Sequence, residues 1–383
     1  MKGKCHLLEF NFIFAILYIF AIACDAITPC SEIEDLNPCS CTELAVAKIL
    51  KHSNGTISSY EEKETWVTCD GIDSLGNLTI AMKRLKGFEI NTAVISSSRI
   101  GYLPSHLFFD VIVKEIQIRY TKLKSFTQAE ESAFLSLENT LLYLSMRYCG
   151  LIDGLKWEKL GELRSLNTLD LTGNHLDTIP PHWFNIPPPD LQFLHLKQNK
   201  ISKLHDSSFA KMYRLKILDL SENQISTLKR TMFPDPANNL ENLYLSYNEI
   251  ETLPGDFFEG MSSLKRLYLD YNKITTLHET PWKQIWGELT HLDLTGNQIM
   301  CDCSIKWMTE LLLPCFLFGA CAEPPGLRER KLISLWPWDL ECPKYRSSPA
   351  SQNEPKSGFS TRNAPFSKYR AKCKTILKMN HET

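Results

Sequence analysis

The sequence predicts an α/β solenoid, a horseshoe of stacked short coils with one parallel sheet on its concave side and a disulfide-bonded cap at each end. Three observations carry this. Leucines recur at a nearly constant interval through the middle of the chain, at Leu171, Leu196, Leu220, Leu245, Leu269 and Leu294. An asparagine follows each of them at the same offset, at Asn174, Asn199, Asn223, Asn248, Asn272 and Asn297. Cysteines bracket that middle, with Cys30, Cys39, Cys41 and Cys69 before it and Cys301, Cys303, Cys321 and Cys342 after it.

The repeating unit reads Leu-x-x-Leu-x-Leu-x-x-Asn-x-Leu/Ile, the strand signature of leucine-rich repeats. Six regular copies start at Leu166, Leu191, Leu215, Leu240, Leu264 and Leu289. Three degenerate copies precede them, Ile90 to Ile100, Val113 to Leu123 and Leu141 to Leu151, making nine. The Leu-x-Leu alternation puts both leucines on one side of a short strand, pointing into the coil, and the residues between them on the other. The asparagine turns inward after the strand, where a buried amide must satisfy backbone groups of the turn. Ser98, Thr121 and Cys149 hold this position in the early copies and can satisfy fewer, so weaker turns are expected there. The return half of each repeat carries Ile179 with Phe184, Leu204 with Phe209, Leu228 with Phe233, and Leu253 with Phe257, all read as core on the convex side.

At the N-terminus, Lys2 and Lys4 precede an apolar run from Phe10 to Ala23 and small residues that suit cleavage after Ala23 or Ala26. This reads as a secretory signal peptide over 1–26. A membrane anchor is the competing reading, but the run is shorter than the roughly 20 residues needed to span a bilayer. Ala21-Ile22-Ala23-Cys24 also bears a faint likeness to a bacterial lipoprotein box. No later segment is apolar enough to span a membrane. Secretion makes the bracketing cysteines disulfides rather than zinc ligands, whose usual spacings they do not match. Asn54-Gly55-Thr56 and Asn77-Leu78-Thr79 read as glycosylation sites on exposed loops, and the expected location is extracellular.

The stretch from Cys301-Asp302-Cys303 through Trp307 to Cys321 and Cys342 resembles the C-terminal cysteine cap of extracellular leucine-rich-repeat proteins. The front cluster resembles the matching N-terminal cap. These resemblances imply the pairs Cys301–Cys321, Cys303–Cys342, Cys30–Cys41 and Cys39–Cys69, and a helix starting near Ile305 and Trp307 that covers the last coil. The interval from Cys41 to Cys69 is longer than usual for such a cap. Cys149 reads as a structural buried thiol. Cys315 and Cys373 either pair with each other or stay free, and a free tail cysteine would permit a disulfide-linked dimer. The expected organisation is signal peptide 1–26, N-terminal cap 27–84, nine repeats 85–300, C-terminal cap 301–342 and a disordered basic tail 343–383. That tail has nine Lys or Arg against two Glu, and attachment to anionic polysaccharide is its functional reading.

With 42 Lys+Arg against 44 Asp+Glu, overall charge gives no reason to expect a nucleic-acid partner. His-Glu-x-x-His, Gly-x-Ser-x-Gly, the P-loop and Gly-x-Gly-x-x-Gly motifs are missing, so no catalytic residue, metal or cofactor is assigned. Function is therefore sought on the outward strand positions. The fifth position of successive repeats reads Val94, Gln117, Ser145, Asp170, His195, Asp219, Tyr244, Tyr268, Asp293. The eighth reads Ser97, Tyr120, Tyr148, Gly173, Gln198, Glu222, Tyr247, Tyr271, Gly296. Tyr244, Tyr247, Tyr268 and Tyr271 fall on adjacent coils, flanked by Arg266 and Glu241, and form either a binding patch or ordinary cross-strand stacking. The row Asp170, His195, Asp219 reads as cross-strand charge pairing, with a metal site or a pH switch as the functional alternative. Asp170 and Asp219 stand near the upper carboxylate separation of glycoside hydrolysis, but an open sheet has no cleft for it.

The chain also resembles secreted arthropod leucine-rich-repeat proteins labelled as the non-catalytic subunit of oplophorus-luciferin 2-monooxygenase, and more loosely chaoptin and Toll-type ectodomains. Pro29-Cys30, Pro38-Cys39-Ser40-Cys41, Trp66-Val67-Thr68-Cys69 and the passage from irregular to regular repeats carry this. It implies a stabilising subunit of a secreted oxidoreductase complex. The reading from the residues is a scaffold that binds an extracellular protein on its concave face.

Overall fold

In the computed structural model, residues 4–7, 22–25, 29–33, 35–51, 57–124, 132–151, 157–340, 342 and 373 are described. Most of the apolar leader, the Asn54 glycosylation site and the basic tail other than Cys373 lie outside the described residues, and the expectations for them do too. The chain divides into two compact units, Met1–Cys149 and Gly150–Thr383. No described helix is long and apolar enough to cross a membrane.

The first unit begins with a long antiparallel hairpin, Cys39–Lys51 against Ile57–Asp70. This hairpin accounts for the long interval between Cys41 and Cys69. Cys39 lies directly opposite Cys69 and is bonded to it, and Cys30 is bonded to Cys41. The end of the second hairpin strand, Trp66–Asp70, then pairs in parallel with Thr92–Ser96. Ile112–Arg119 and Tyr143–Arg147 continue the parallel order. The parallel sheet thus starts inside the cap, one strand earlier than the leucine pattern indicates, because Val67 and Cys69 alternate into the core as repeat leucines do. Asn77 is exposed, but it sits in the helix Leu75–Arg84 and not on a loop. That helix forms because Leu78, Ala81 and Met82 share one buried face.

In the second unit, seven three-residue strands pair in parallel and in register: Thr168–Asp170, Phe193–His195, Ile217–Asp219, Asn242–Tyr244, Arg266–Tyr268, His291–Asp293 and Phe316–Phe318. Their central leucines, Leu169 to Leu317, are buried. The return segments are short turns and single helical turns, such as the 3₁₀ turns Pro181–Phe184 and Arg230–Met232, since so short a coil leaves little length for a longer helix. Behind the sheet runs an aromatic spine, Phe184, Phe209, Phe233, Phe257, Phe258, Trp282, Trp286 and Trp307, with successive centroids between 4.7 and 6.5 Å. Adjacent coils interlock there through ring contacts beyond simple area burial.

The asparagine ladder has a definite wiring. Asn223 Oδ1 accepts the N–H of Ile201 in the preceding coil, and its Nδ2 donates to the carbonyls of Leu196 and Leu220. Asn199, Asn248, Asn272 and Asn297 repeat the pattern. In the first unit, Ser98 accepts the N–H of Ile72 and donates to Ser96, and Thr121 accepts from Ser98 and donates to Arg119. Cys149 reaches the carbonyls of Ile118 and Arg147 only at 3.4 Å, and burial pushes its thiol up to about 12. The substitutes make fewer or longer bonds, as a hydroxyl or thiol must.

At the C-terminal end, Cys301–Cys321 and Cys303–Cys342 are bonded. The helix Lys306–Glu310 buries Trp307 and Met308, and the Trp307 indole N–H donates to the carbonyl of Leu277. Cys315 is bonded to Cys373 of the same chain, which withdraws both thiols from an intermolecular bond.

Candidate functional site

The four tyrosines converge as their strand positions require. Tyr244 and Tyr268 are register partners, with ring centroids 4.8 Å apart and planes 6° from parallel. Tyr247 and Tyr271 stack at 4.4 Å and 13°. These separations match the spacing of neighbouring strands, so the rings stand face to face along the sheet. Tyr247 and Tyr271 are 51% and 49% exposed.

The backbone decides why position eight is displayed. Ser97, Tyr120, Tyr148, Gln198, Glu222, Tyr247 and Tyr271 all have φ between 50 and 56°, and Gly173 and Gly296 have φ 74°. Each coil passes through the left-handed region at this residue so that the next one, the ladder residue, turns inward. Non-glycine residues there cost roughly 1–2 kcal/mol each, and the ladder bonds offset it. Gly296 has a further role. A Cβ built on it would lie 2.7 Å from Cδ1 of Tyr271, so the glycine leaves the space that this ring occupies. Tyr120 and Tyr148 form a similar stack at 5.2 Å in the first unit.

Carboxylates surround the tyrosine patch. Row five reads Asp219, Tyr244, Tyr268, Asp293 across consecutive strands. Asp270 follows Tyr268 two residues on, and the Ser246 hydroxyl donates to it. Burial, the neighbouring Tyr268 and the Asp219 charge push the Tyr244 hydroxyl above its ordinary range, against the pull of Arg266. Burial, Tyr271 and the charges of Asp270 and Glu222 act likewise on Tyr247. Tyr268 is raised by burial and by Asp293 and Asp270, again against Arg266. Burial and the Asp293 charge push the Asp270 carboxyl up against the Ser246 hydrogen bond. Arg266 lies between Asn242 and His291 on row three, its Nη1 3.5 Å from Asn242 Oδ1. Glu241 is exposed just before its strand.

The row Asp170, His195, Asp219 is in register, and its two carboxylates each accept a backbone N–H of their own turn. Asp170 is 1% exposed and its Oδ1 accepts the N–H of Thr172, while Asp219 does the same for Ser221. His195 Nδ1 lies 4.0 Å from Asp219 Oδ2. Burial alone would raise the Asp219 carboxyl, but the neighbouring His195 ring and the hydrogen bonding from Ser221 more than offset it and leave it below its ordinary value. Among the described residues no group of three His, Cys, Asp or Glu is placed to hold a metal ion.

One part of this face is invisible to the repeat pattern. The capping segment Phe316–Phe318 adds a strand beyond the last leucine-rich coil, in register with His291–Asp293. Phe316 stacks on His291 at 4.3 Å, and Phe318 is 50% exposed beside Asp293. The alternation Cys315-Phe316-Leu317-Phe318-Gly319 is the signal that marks it.

Comparison with known proteins agrees with this architecture. The Leucine rich repeat family matches residues 189–237 and 238–299, and a second leucine-rich-repeat family matches 165–186. No curated protein matches the chain. Among solved structures, the chain is similar to one in the Drosophila Toll–Spatzle complex at 18% identity and TM-score 0.49, over 68% of this chain and 46% of that one. It is also similar to one in the octameric complex of Latrophilin 3, Unc5D and FLRT2, at 20% identity and TM-score 0.46, over 66% of this chain and 91% of that one. This chain thus spans less than half of the Toll–Spatzle structure's chain. Residues 165–299 are leucine-rich repeats, and the fold they build is the leucine-rich-repeat solenoid.

Proposed function

We propose that this chain is a secreted scaffold that binds an extracellular protein on the outer face of its repeat sheet, through Tyr244, Tyr247, Tyr268 and Tyr271 with Arg266. The observation that carries this reading is the pair of tyrosine stacks, Tyr244 with Tyr268 at position five and Tyr247 with Tyr271 half-exposed at position eight. Tyrosine clusters suit protein recognition because each ring buries a large area at little loss of side-chain freedom and keeps a polar tip. Half-exposed rings side by side on a sheet, such as Tyr247 and Tyr271, suit a macromolecular partner. Five disulfides among the described residues fit an oxidising compartment.

The test is comparative capture from the native secretion. Tagged wild-type chain and the Tyr244→Ala, Tyr247→Ala, Tyr268→Ala, Tyr271→Ala variant are used as baits, and the recovered proteins are quantified. The variant should lose the partner. Equal recovery would move the binding site off this face. An oxidoreductase activity that co-purifies with wild type and is lost on separation would identify the partner as an enzyme.

A further inference from the structure

We infer that the partner docks through an extended basic segment carrying two Lys or Arg side chains four residues apart, laid across the strands over the tyrosine patch. This rests on the reading of that face as the binding surface and adds the chemistry and spacing of what it takes. Row five supplies the template, with Asp219 and Asp293 as register-aligned anchors on either side of Tyr244 and Tyr268. Three strand steps separate the two carboxylates, about 14 Å at roughly 4.8 Å per step. Four residues of extended chain at about 3.4 Å each cover the same distance. Between the anchors, the hydroxyl edges of the stacked rings offer donors and acceptors to the backbone of such a segment.

The charge balance of the patch favours a cation. Asp219, Asp270 and Asp293 act electrostatically on the tyrosines from both sides and from within. Glu222 is already paired with Lys197 at 3.0 Å and does not serve as an anchor. Arg266 is the cation that acts on these rings, and it stands on row three, so a basic segment is steered toward rows five to eight. Asp219 Oδ2 faces His195 Nδ1 only at 4.0 Å, and Asp219 and Asp293 each spend Oδ1 on a backbone N–H, of Ser221 and Thr295 respectively. That bond fixes each carboxylate's rotamer, so its orientation is set before a ligand arrives.

The probes are three acetylated, amidated heptapeptides titrated into the secreted chain at low salt: Ser-Arg-Ser-Thr-Ser-Arg-Ser, the isomer Ser-Ser-Arg-Thr-Arg-Ser-Ser, and the first with Glu in place of Arg. The first should bind about two- to fivefold tighter than the isomer, since only it reaches both carboxylates. Raising salt should weaken it, and the Glu peptide should not bind. Asp293→Asn and Asp219→Asn keep the side-chain oxygen that accepts the backbone N–H, and either should bring the first peptide down to the isomer's affinity. Equal binding of first peptide and isomer, tighter binding of the Glu peptide, or indifference to both substitutions overturns the inference. If no peptide binds while the tyrosine variant still loses its native partner, the basic-segment inference falls and the binding face stands. If capture is unaffected by the tyrosine changes, the face itself is wrong.

Discussion

Replacing Asn223 by alanine tests the ladder that sets the shape of every coil. Asn223 Oδ1 is the acceptor for the buried N–H of Ile201 at 3.0 Å. Its Nδ2 reaches the carbonyls of Leu196, Leu220 and Ser221 at 3.0, 3.0 and 3.1 Å. Those carbonyls have second donors: Asn199 for Leu196, Asn248 for Leu220 and the Gln198 N–H for Ser221. The loss therefore falls mainly on one orphaned N–H, worth about 1–3 kcal/mol, with roughly another 1 kcal/mol for weakened carbonyl bonding and the small void. We expect Asn223→Ala to lower unfolding stability by roughly 2–4 kcal/mol. Asn223→Ser should recover about half, roughly 1–2 kcal/mol, because a hydroxyl can accept that N–H as Ser98 accepts the N–H of Ile72. Urea unfolding of the disulfide-intact protein, followed by far-ultraviolet circular dichroism and tryptophan fluorescence, measures both. A loss below about 1 kcal/mol for alanine, or equal losses for alanine and serine, would refute the orphaned-donor argument.

Further outcomes follow from other contacts. Phe233→Ala removes a fully buried ring that touches Phe209 and Phe257, and should cost about 3–5 kcal/mol in the same unfolding measurement. Gly296→Ala places a methyl against Tyr271 and should change the near-ultraviolet tyrosine dichroism, whereas Gly150→Ala, with φ 66° and no atom within 4 Å, should cost only the backbone strain of roughly 1–2 kcal/mol. Asp219 sits below its ordinary carboxylate value, so its stabilising contribution is complete above that value and is lost as pH falls through the lowered one. Unfolding stability from pH 7 down to pH 2 should therefore decline less steeply in Asp219→Asn than in wild type; parallel curves would contradict this. Arg230 is buried with its guanidinium bonded to the carbonyls of Glu259, Phe233 and Pro234, and Arg230→Met should destabilise by about 2–4 kcal/mol by leaving them without a donor. A thermal midpoint equal to wild type would show that methionine packing compensates.

Much of this molecule is legible from one dimension because a solenoid coil is assembled from local sequence. The short regular period, the inward Leu-x-Leu alternation and the ladder asparagine specify the strand, the turn and the stacking of like on like. The adjacency of Tyr244 to Tyr268 and of Tyr247 to Tyr271 follows from register alone, since identical positions on neighbouring coils must meet. What the repeat could not carry lies where its period stops. Trp66–Asp70 and Phe316–Phe318 join the sheet from segments without the leucine signature, because a cap must pair its edge as well as cover the core. The buried Arg230 is likewise settled in part by the Glu259 carbonyl of the following coil, which no local pattern announces. The periodic pattern alone specifies the solenoid, its inward and outward positions and the rows in which its tyrosines stand. The left-handed backbone at position eight in every coil and the capping of their own turns by Asp170 and Asp219 emerge only in three dimensions. Those depend on backbone angles and on side chains competing for the same hydrogen-bond partners, which a periodic pattern does not encode.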